Sequence, residues 1–133
     1  MKKTYIDSGV LIDAIRGDDV NAKRAMNILD DPEREFISSP FVRLEVLPKA
    51  IYQKNQHEIE FYEVFFSSVK YWANPLDKIV ELAYQEGKKY GLNAIDSLHV
   101  ASALISNADE LVTSEKITSS IHKTKSIKIV SIR

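Results

Sequence analysis

Residues 4–13 read TYIDSGVLID, and the place of Asp7 in this stretch decides how the chain is read. Thr4, Tyr5 and Ile6 favour extended backbone and lead into a carboxylate, then Ser8-Gly9, then an apolar run that ends at Asp13. A short buried strand over residues 4–7 therefore gives way to a helix. In that helix Val10, Leu11, Ala14 and Ile15 hold helical spacing, and Gly17 is the stop. Asp7 either caps this helix or opens a site, and the segments downstream decide between the two.

Downstream, strands and helices alternate. Ala22, Ala25, Met26 and Leu29 form a second helical stripe that ends at Asp30-Asp31-Pro32, and residues 35–38 read as a second strand. Ser39-Pro40 is a cap followed by a proline at the first helical position. Pro48 lies deep in the helix this opens, so a kink or a split is expected there. Residues 58–69 read as a helix and 70–73 as a short third strand. Asn74-Pro75 repeats the cap-plus-proline start, for a helix that stops at Gly91. Asn93 caps another helix, with Ile95, Leu98, Ala101, Leu104 and Ile105 expected inward. Residues 110–113 and 126–132 are strands, with a short helix or turn over 115–121. Strands separated by helices predict an α/β fold, a three-layer α/β/α arrangement with a central, mainly parallel sheet. In the absence of repeats or linkers, residues 1–133 read as a single domain.

Composition bounds the function classes. The apolar fraction is 44% and the charged fraction 28%, those of an ordinary globular chain. There are no cysteines, which excludes disulfides, thiolate catalysis and zinc–cysteine sites. No apolar run is long enough for a signal peptide or a membrane helix, so the expected location is cytoplasmic, with no membrane partner. Net charge is −1, but it is uneven. After Glu115 come only Lys116, Lys123, Lys125, Lys128 and Arg133, a +5 tail on a −6 body. This reads first as the polar face of a last strand and its loop, and second as a contact for a polyanion.

In a parallel sheet, strand exits and helix starts face one edge, and ligands sit beyond the carboxyl ends of the strands. Asp7 ends the first strand, Glu45 lies early in the helix after the second, Asp96 is in the first turn after Asn93, and Glu115 follows the strand ELVT. Each acid has a structural alternative. Asp7 can cap a helix, Glu45 can pair with Lys49, Asp96 can close a capping box with Asn93, and Glu115 can favour a helix dipole. Four such acids at one edge are better read as a site. Clustered carboxylates repel and have raised pKa values unless a cation lies among them. Oxygen donors without Cys or His suit Mg²⁺ or Mn²⁺, and such ions support phosphoryl chemistry.

Four stretches, YIDSGVLID (5–13), SPFVRLEVL (39–47), LNAIDSLHVASAL (92–104) and ELVTSEKI (110–117), occur in an order and spacing that resembles the PIN-domain ribonucleases. The likeness is nearest to the small VapC-type toxins of toxin–antitoxin pairs. The resemblance implies a metal-dependent endoribonuclease that hydrolyses RNA by in-line attack of activated water, without a covalent intermediate. It carries Asp7, Glu45 and Asp96 over as core acids around Mg²⁺ or Mn²⁺, Glu115 as the further acid, and Ser8 and Thr113 as supporting hydroxyls. It also implies an RNA substrate, a cognate antitoxin partner and a homodimer. Glu115 stands where the family usually has Asp, and Gly9 where it often has Ser or Asn; weaker metal binding is expected from both.

Other residues receive plainer readings. His99, three residues after Asp96, is read first as a structural partner of a nearby acid or backbone group and second as a residue that orients Asp96 or acts on a proton, and Asp13 as a surface acid. Phe61, Tyr62, Phe65, Phe66, Tyr71 and Trp72 are read as core first and as a groove for a partner helix second. Arg43 and Lys116 are possible phosphate contacts. The rival functions are a non-catalytic PIN-fold module that binds RNA or protein and, ranked below it, a phosphate-accepting receiver domain. The latter needs an acid at the end of a central strand, whereas the third strand here ends in YWANP.

Overall fold

The computed structural model describes residues 1–133. The chain runs β1 (Lys2–Ile6), α1 (Ser8–Arg16), α2 (Asp19–Leu29), β2 (Arg34–Ser38), α3 (Pro40–Tyr52), α4 (Gln56–Ser68), β3 (Tyr71–Trp72), α5 (Leu76–Tyr90), α6 (Ala94–Ile105), β4 (Glu110–Thr113), a 3₁₀ turn (Ser120–Lys123) and β5 (Lys128–Ser131). The five strands are all parallel, in the order β3-β2-β1-β4-β5. Helices cover the sheet in a three-layer α/β/α arrangement, with α1 against α2, α3 and α4, and α5 against α6. No helix is long and apolar enough to cross a membrane.

Local chemistry sets the helix boundaries. Side chains of Asp18, Ser39, Asn55 and Asn93 accept hydrogen bonds from backbone N–H groups in the first turns of α2, α3, α4 and α6. α5 ends at Gly91, whose φ of 71° is the left-handed value that a side chain disfavours. Two details differ from expectation. Asn74 does not cap α5; its amide donates to the Trp72 carbonyl, and Pro75 takes the cap position with no side-chain hydrogen bond. Helix α3 runs unbroken through Pro48. The missing N–H would have served the carbonyl of Leu44, and both residues lie on the exposed side of the helix, where water can serve that carbonyl instead.

The core joins both faces of the central strands. Tyr5, Ile6, Ile37, Leu111 and Val112 are fully buried between Val10 and Leu11 on one helix and Val100 and Ala103 on another. Ile95, expected inward, is 48% exposed. Of the other residues expected inward, Ala101 is fully buried and Leu98, Leu104 and Ile105 are half-buried against the core, while Ser97, His99, Val100, Ser102 and Ala103 complete the buried face of α6, whose small residues let it lie close to the sheet. Asp13 is also no surface acid. It is 8% exposed, and the Arg133 guanidinium donates to both of its oxygens at 2.9 and 2.8 Å.

The strand order reverses at β1. The chain moves outward to β2 and β3, then returns through α5 and α6 to β4 on the other side of β1. This differs from the 2-1-3-4-5 order of receiver-type sheets, and it puts the switch point between the carboxyl ends of β1 and β4. At the opposite end of the same strands, Glu110 is 1% exposed. It accepts from Thr4 Oγ1 at 2.7 Å and Arg34 Nε at 2.9 Å, and Arg34 also reaches Asp31.

Burial alone would raise the pKa of Glu110, but the hydrogen bonds from Thr4 and Arg34 and the charges of Arg34 and Lys2 outweigh it and hold the value below normal. A carboxyl with a depressed folded-state pKa stabilises the fold above its unfolded value and loses that contribution as pH falls through the folded value. Arg34→Ala should therefore cost about 3–5 kcal/mol in denaturant melts at pH 7, the range for a buried ion pair broken from one side. The gap between wild type and variant should narrow below about pH 4, where the carboxyl protonates in the unfolded chain.

Candidate active site

At the switch point the sheet register continues one residue past β1: Asp7 N–H donates to the Val112 carbonyl at 3.0 Å. This fixes the backbone of Asp7 while its side chain turns to the start of α1. Oδ1 accepts from Ser8 N–H at 2.7 Å, and Oδ2 accepts from Thr113 Oγ1 at 2.9 Å. Asp7 is thus both cap and cleft residue. Thr113, at the end of β4, serves two acids, because its hydroxyl oxygen also accepts from Glu115 N–H at 3.0 Å. Ser8 Oγ lies 3.4 Å from Asp7 Oδ1.

Asp7, Glu45, Asp96 and Glu115 all line one cleft of about 510 Å³, together with Ser8 and His99. The four acids that the sequence places at one sheet edge therefore share one cleft, but of the four only Asp7 and Glu45 have donor atoms within 4.8 Å of each other, with His99 as the third member of that group. Asp96 is oriented by Ser120, whose hydroxyl donates to Oδ2 at 2.6 Å from the start of the 3₁₀ turn. Glu115 is exposed and accepts from Ser119 Oγ at 3.0 Å. Of the two basic residues expected to touch phosphate, Lys116 is exposed beside Glu115 but outside the cleft lining. Arg43 lines a different groove with Leu44, Leu47 and Ile51, on the side of α3 away from Glu45. The aromatic set is mainly core: Tyr62 and Phe65 are buried, Phe61 and Phe66 half-buried, and Tyr71 and Trp72 each 38% exposed at the sheet edge.

His99 plays a larger part than its sequence position suggests. It is 1% exposed, with Nε2 2.6 Å from Glu45 Oε1 and 3.5 Å from Asp7 Oδ1. Its Nδ1 lies 2.7 Å from Tyr5 Oη, and Tyr5 Oη lies 2.7 Å from Ser39 Oγ. His99 is the structural partner of an acid, as expected, but the acids are Glu45 and Asp7. Sequence reasoning missed Tyr5 altogether; the signal, a tyrosine two residues before the first site acid, is too common to stand out.

The charges in the cleft do not balance. No lysine or arginine forms an ion pair with Asp7, Glu45, Asp96 or Glu115; His99 is the one basic side chain within ion-pair distance of these carboxylates. Burial raises the pKa of Asp96, and the charges of Asp7 and Glu115 add to that against the Ser120 hydrogen bond and His99. Glu45 departs from the expectation for clustered acids. Burial pushes it up, but His99 and the Ser8 hydroxyl prevail and its pKa is lowered. The pKa of His99 is raised, since burial is outweighed by the Glu45 hydrogen bond and the charges of Asp7, Glu45 and Asp96. Donor atoms of Asp7, Glu45 and His99 lie within 4.8 Å of one another, close enough to hold a metal ion. Hard oxygen donors carrying excess negative charge fit a divalent cation such as Mg²⁺ or Mn²⁺.

Gly9 is closely packed at this site. A Cβ at position 9 would lie 2.0 Å from Ser114 Oγ and 3.3 Å from Ser114 Cβ. Ser114, next to Thr113, fills the space that a side chain at 9 would take. Gly9→Ala should destabilise the protein by about 1 kcal/mol as an overpacking change. In a Ser114→Ala background most of that loss should vanish, and chemical denaturation of the double-mutant cycle reads the difference.

The comparisons with known proteins agree with this geometry. The sequence matches the PIN domain family over residues 4–123. No curated protein matches it in sequence. Among solved structures, the fold is similar to a toxin–antitoxin complex from Klebsiella pneumoniae, at 20% identity, 98% coverage of each chain and a TM-score of 0.71. It is also similar to VapBC-1 from nontypeable Haemophilus influenzae, at 18% identity, 98% coverage of each chain and a TM-score of 0.68. DNA-bound VapBC from Salmonella typhimurium gives 12%, 100% of each chain and 0.68. At these identities the likeness to solved structures is one of fold. The family match covers most of the chain, and the chain belongs to the PIN-domain family.

Proposed function

We propose that the protein is a Mg²⁺- or Mn²⁺-dependent endoribonuclease and the toxin of a toxin–antitoxin pair. The observation that carries the nuclease reading is the convergence of Asp7, Glu45, Asp96 and Glu115 on one cleft with no lysine or arginine to pair with them. Asp7, Glu45 and Asp96 would hold the cation, with Glu115 as the further acid of the cleft. When bound, the cation supplies Lewis acidity and a poised water for phosphodiester hydrolysis. The chain's own task is orientation. Thr113 fixes one oxygen of Asp7, Ser120 fixes one oxygen of Asp96, and His99 holds Glu45.

The toxin reading rests on the family match and on the likeness of fold to VapBC complexes. It implies a cognate antitoxin. A homodimer is supported by an apolar stripe on α5, where Leu76, Val80 and Tyr84 are spaced four residues apart and are 53%, 55% and 68% exposed. Val80 and Tyr84 border a groove of about 580 Å³ whose far wall is Leu92 and Leu98. A contiguous apolar surface of this kind marks an interface.

RNA cleavage tests the central reading. Activity should require Mg²⁺ or Mn²⁺ and stop with EDTA, and Asp7→Asn and Asp96→Asn should each reduce the rate at least about 100-fold, as loss of a metal-holding group does. Cleavage unchanged in both variants contradicts the reading. Expression should arrest growth, with relief by a cognate antitoxin. Tyr84→Glu should shift the wild-type dimer to monomer in sedimentation; a wild type that is monomeric at micromolar concentration contradicts the dimer.

A further inference from the structure

We infer that Tyr5 and His99 are positioning residues that hold Glu45 in place for a cation, and that His99 is not itself a ligand. The inference rests on the reading of the cleft as a divalent-metal site. Its basis is a polar ring. Ser39 caps α3, the helix that carries Glu45, and Ser39 Oγ meets Tyr5 Oη at 2.7 Å. Tyr5 Oη meets His99 Nδ1 at 2.7 Å, and His99 Nε2 meets Glu45 Oε1 at 2.6 Å. The ring starts and ends on α3 and passes through β1 and α6. Ser39, Tyr5 and His99 are all at most 1% exposed, so no water competes for these bonds.

The proton count fixes the direction of the ring. A carboxylate only accepts, so Nε2 must carry a hydrogen toward Glu45. In the neutral ring Nδ1 then accepts, and the Tyr5 hydroxyl donates to it while accepting from Ser39. In the charged ring Nδ1 donates to the Tyr5 oxygen, and Tyr5 turns its hydrogen to Ser39. A hydroxyl both donates and accepts, so Tyr5 serves either form, and in both of them Nε2–H faces the acids. Burial holds the Tyr5 pKa far above its ordinary value, so the hydroxyl keeps its proton.

The arrangement also tells positioning from ligation. His99 Nε2 is close enough to Glu45 and Asp7 to be counted as a metal donor, but a nitrogen bound to hydrogen has no lone pair to give. Glu45, whose side chain is 36% exposed, has one oxygen taken by His99 and the other free for the cleft. A long carboxylate that would otherwise sample several rotamers is therefore ordered before a cation arrives. Hydrogen-bond partners that orient ligating carboxylates typically contribute 10–100-fold to metal affinity.

Tyr5→Phe keeps the ring in the core and deletes only the hydroxyl. Mn²⁺ titration should show affinity reduced about 10-fold or more relative to wild type. Imidazole ¹⁵N spectra of the metal-free proteins should show hydrogen on His99 Nε2 in both, because Glu45 still accepts from it, with a shifted Nδ1 resonance in the variant, which has lost its Tyr5 partner. His99→Gln, whose amide can donate to Glu45 and accept from Tyr5, should bind Mn²⁺ better than His99→Leu; a purely packing role predicts the reverse. Pulsed electron paramagnetic resonance of the Mn²⁺ protein should show no directly coordinated nitrogen. A coordinated nitrogen overturns the inference, and so does a Tyr5→Phe variant with unchanged affinity and an unchanged Nδ1 resonance. If the wild type binds no Mn²⁺, the metal reading fails, and the Nδ1 comparison alone decides the role of Tyr5.

Discussion

The hydrogen bond from Asp7 N–H to the Val112 carbonyl carries the register of the central strands one residue beyond the sheet, and the site depends on it. A loop residue at that point would be free to move. Asp7 is instead held by the sheet through its backbone and by β4 through the Thr113 hydroxyl, and the same hydroxyl positions the backbone of Glu115. Acids far apart in sequence are tied to one place because β1 and β4 are neighbours across the point where strand order reverses. The fold supplies geometry here before any side chain supplies chemistry.

The two ends of this strand pair handle buried charge differently. At the amino end, Thr4 on β1 donates to Glu110 on β4, and Arg34 and Lys2 balance the carboxylate. At the carboxyl end the roles of the strands are exchanged: Thr113 on β4 donates to Asp7 beside β1. There, however, no arginine or lysine balances the acids, and His99 meets only part of the demand. A chain selected for stability alone has a ready solution, which it uses at one end of the sheet and withholds at the other. Unbalanced carboxylates in a cleft cost stability, and a cation of defined place offsets that cost when it binds.

Much of this was legible in the sequence because the relevant signals are local. Caps such as Ser39-Pro40 and Asn93 mark where helices start, and alternation of strands and helices implies a parallel sheet. Those two facts are enough to send Asp7, Glu45, Asp96 and Glu115 to one edge. What stayed hidden is set by contacts between distant segments. Tyr5 meets His99 across 94 residues, and Arg133 meets Asp13 across 120. At Gly9 the sequence shows only a missing side chain, and the constraint on it comes from the side chain of Ser114. Ile95 fits the helical period of α6 but lies on its outer side, because small residues rather than large ones face the sheet. Pro48 leaves its helix unsplit for a related reason: its effect depends on whether the freed carbonyl meets solvent.

Crystals soaked in MnCl₂ and measured for anomalous scattering give the most direct test of the central claim that this cleft is a cation site. The account predicts a strong peak between Asp7, Glu45 and Asp96, with oxygen ligands and with His99 still hydrogen-bonded to Glu45. A cleft without a peak at saturating Mn²⁺, or a peak found only elsewhere on the surface, would contradict it.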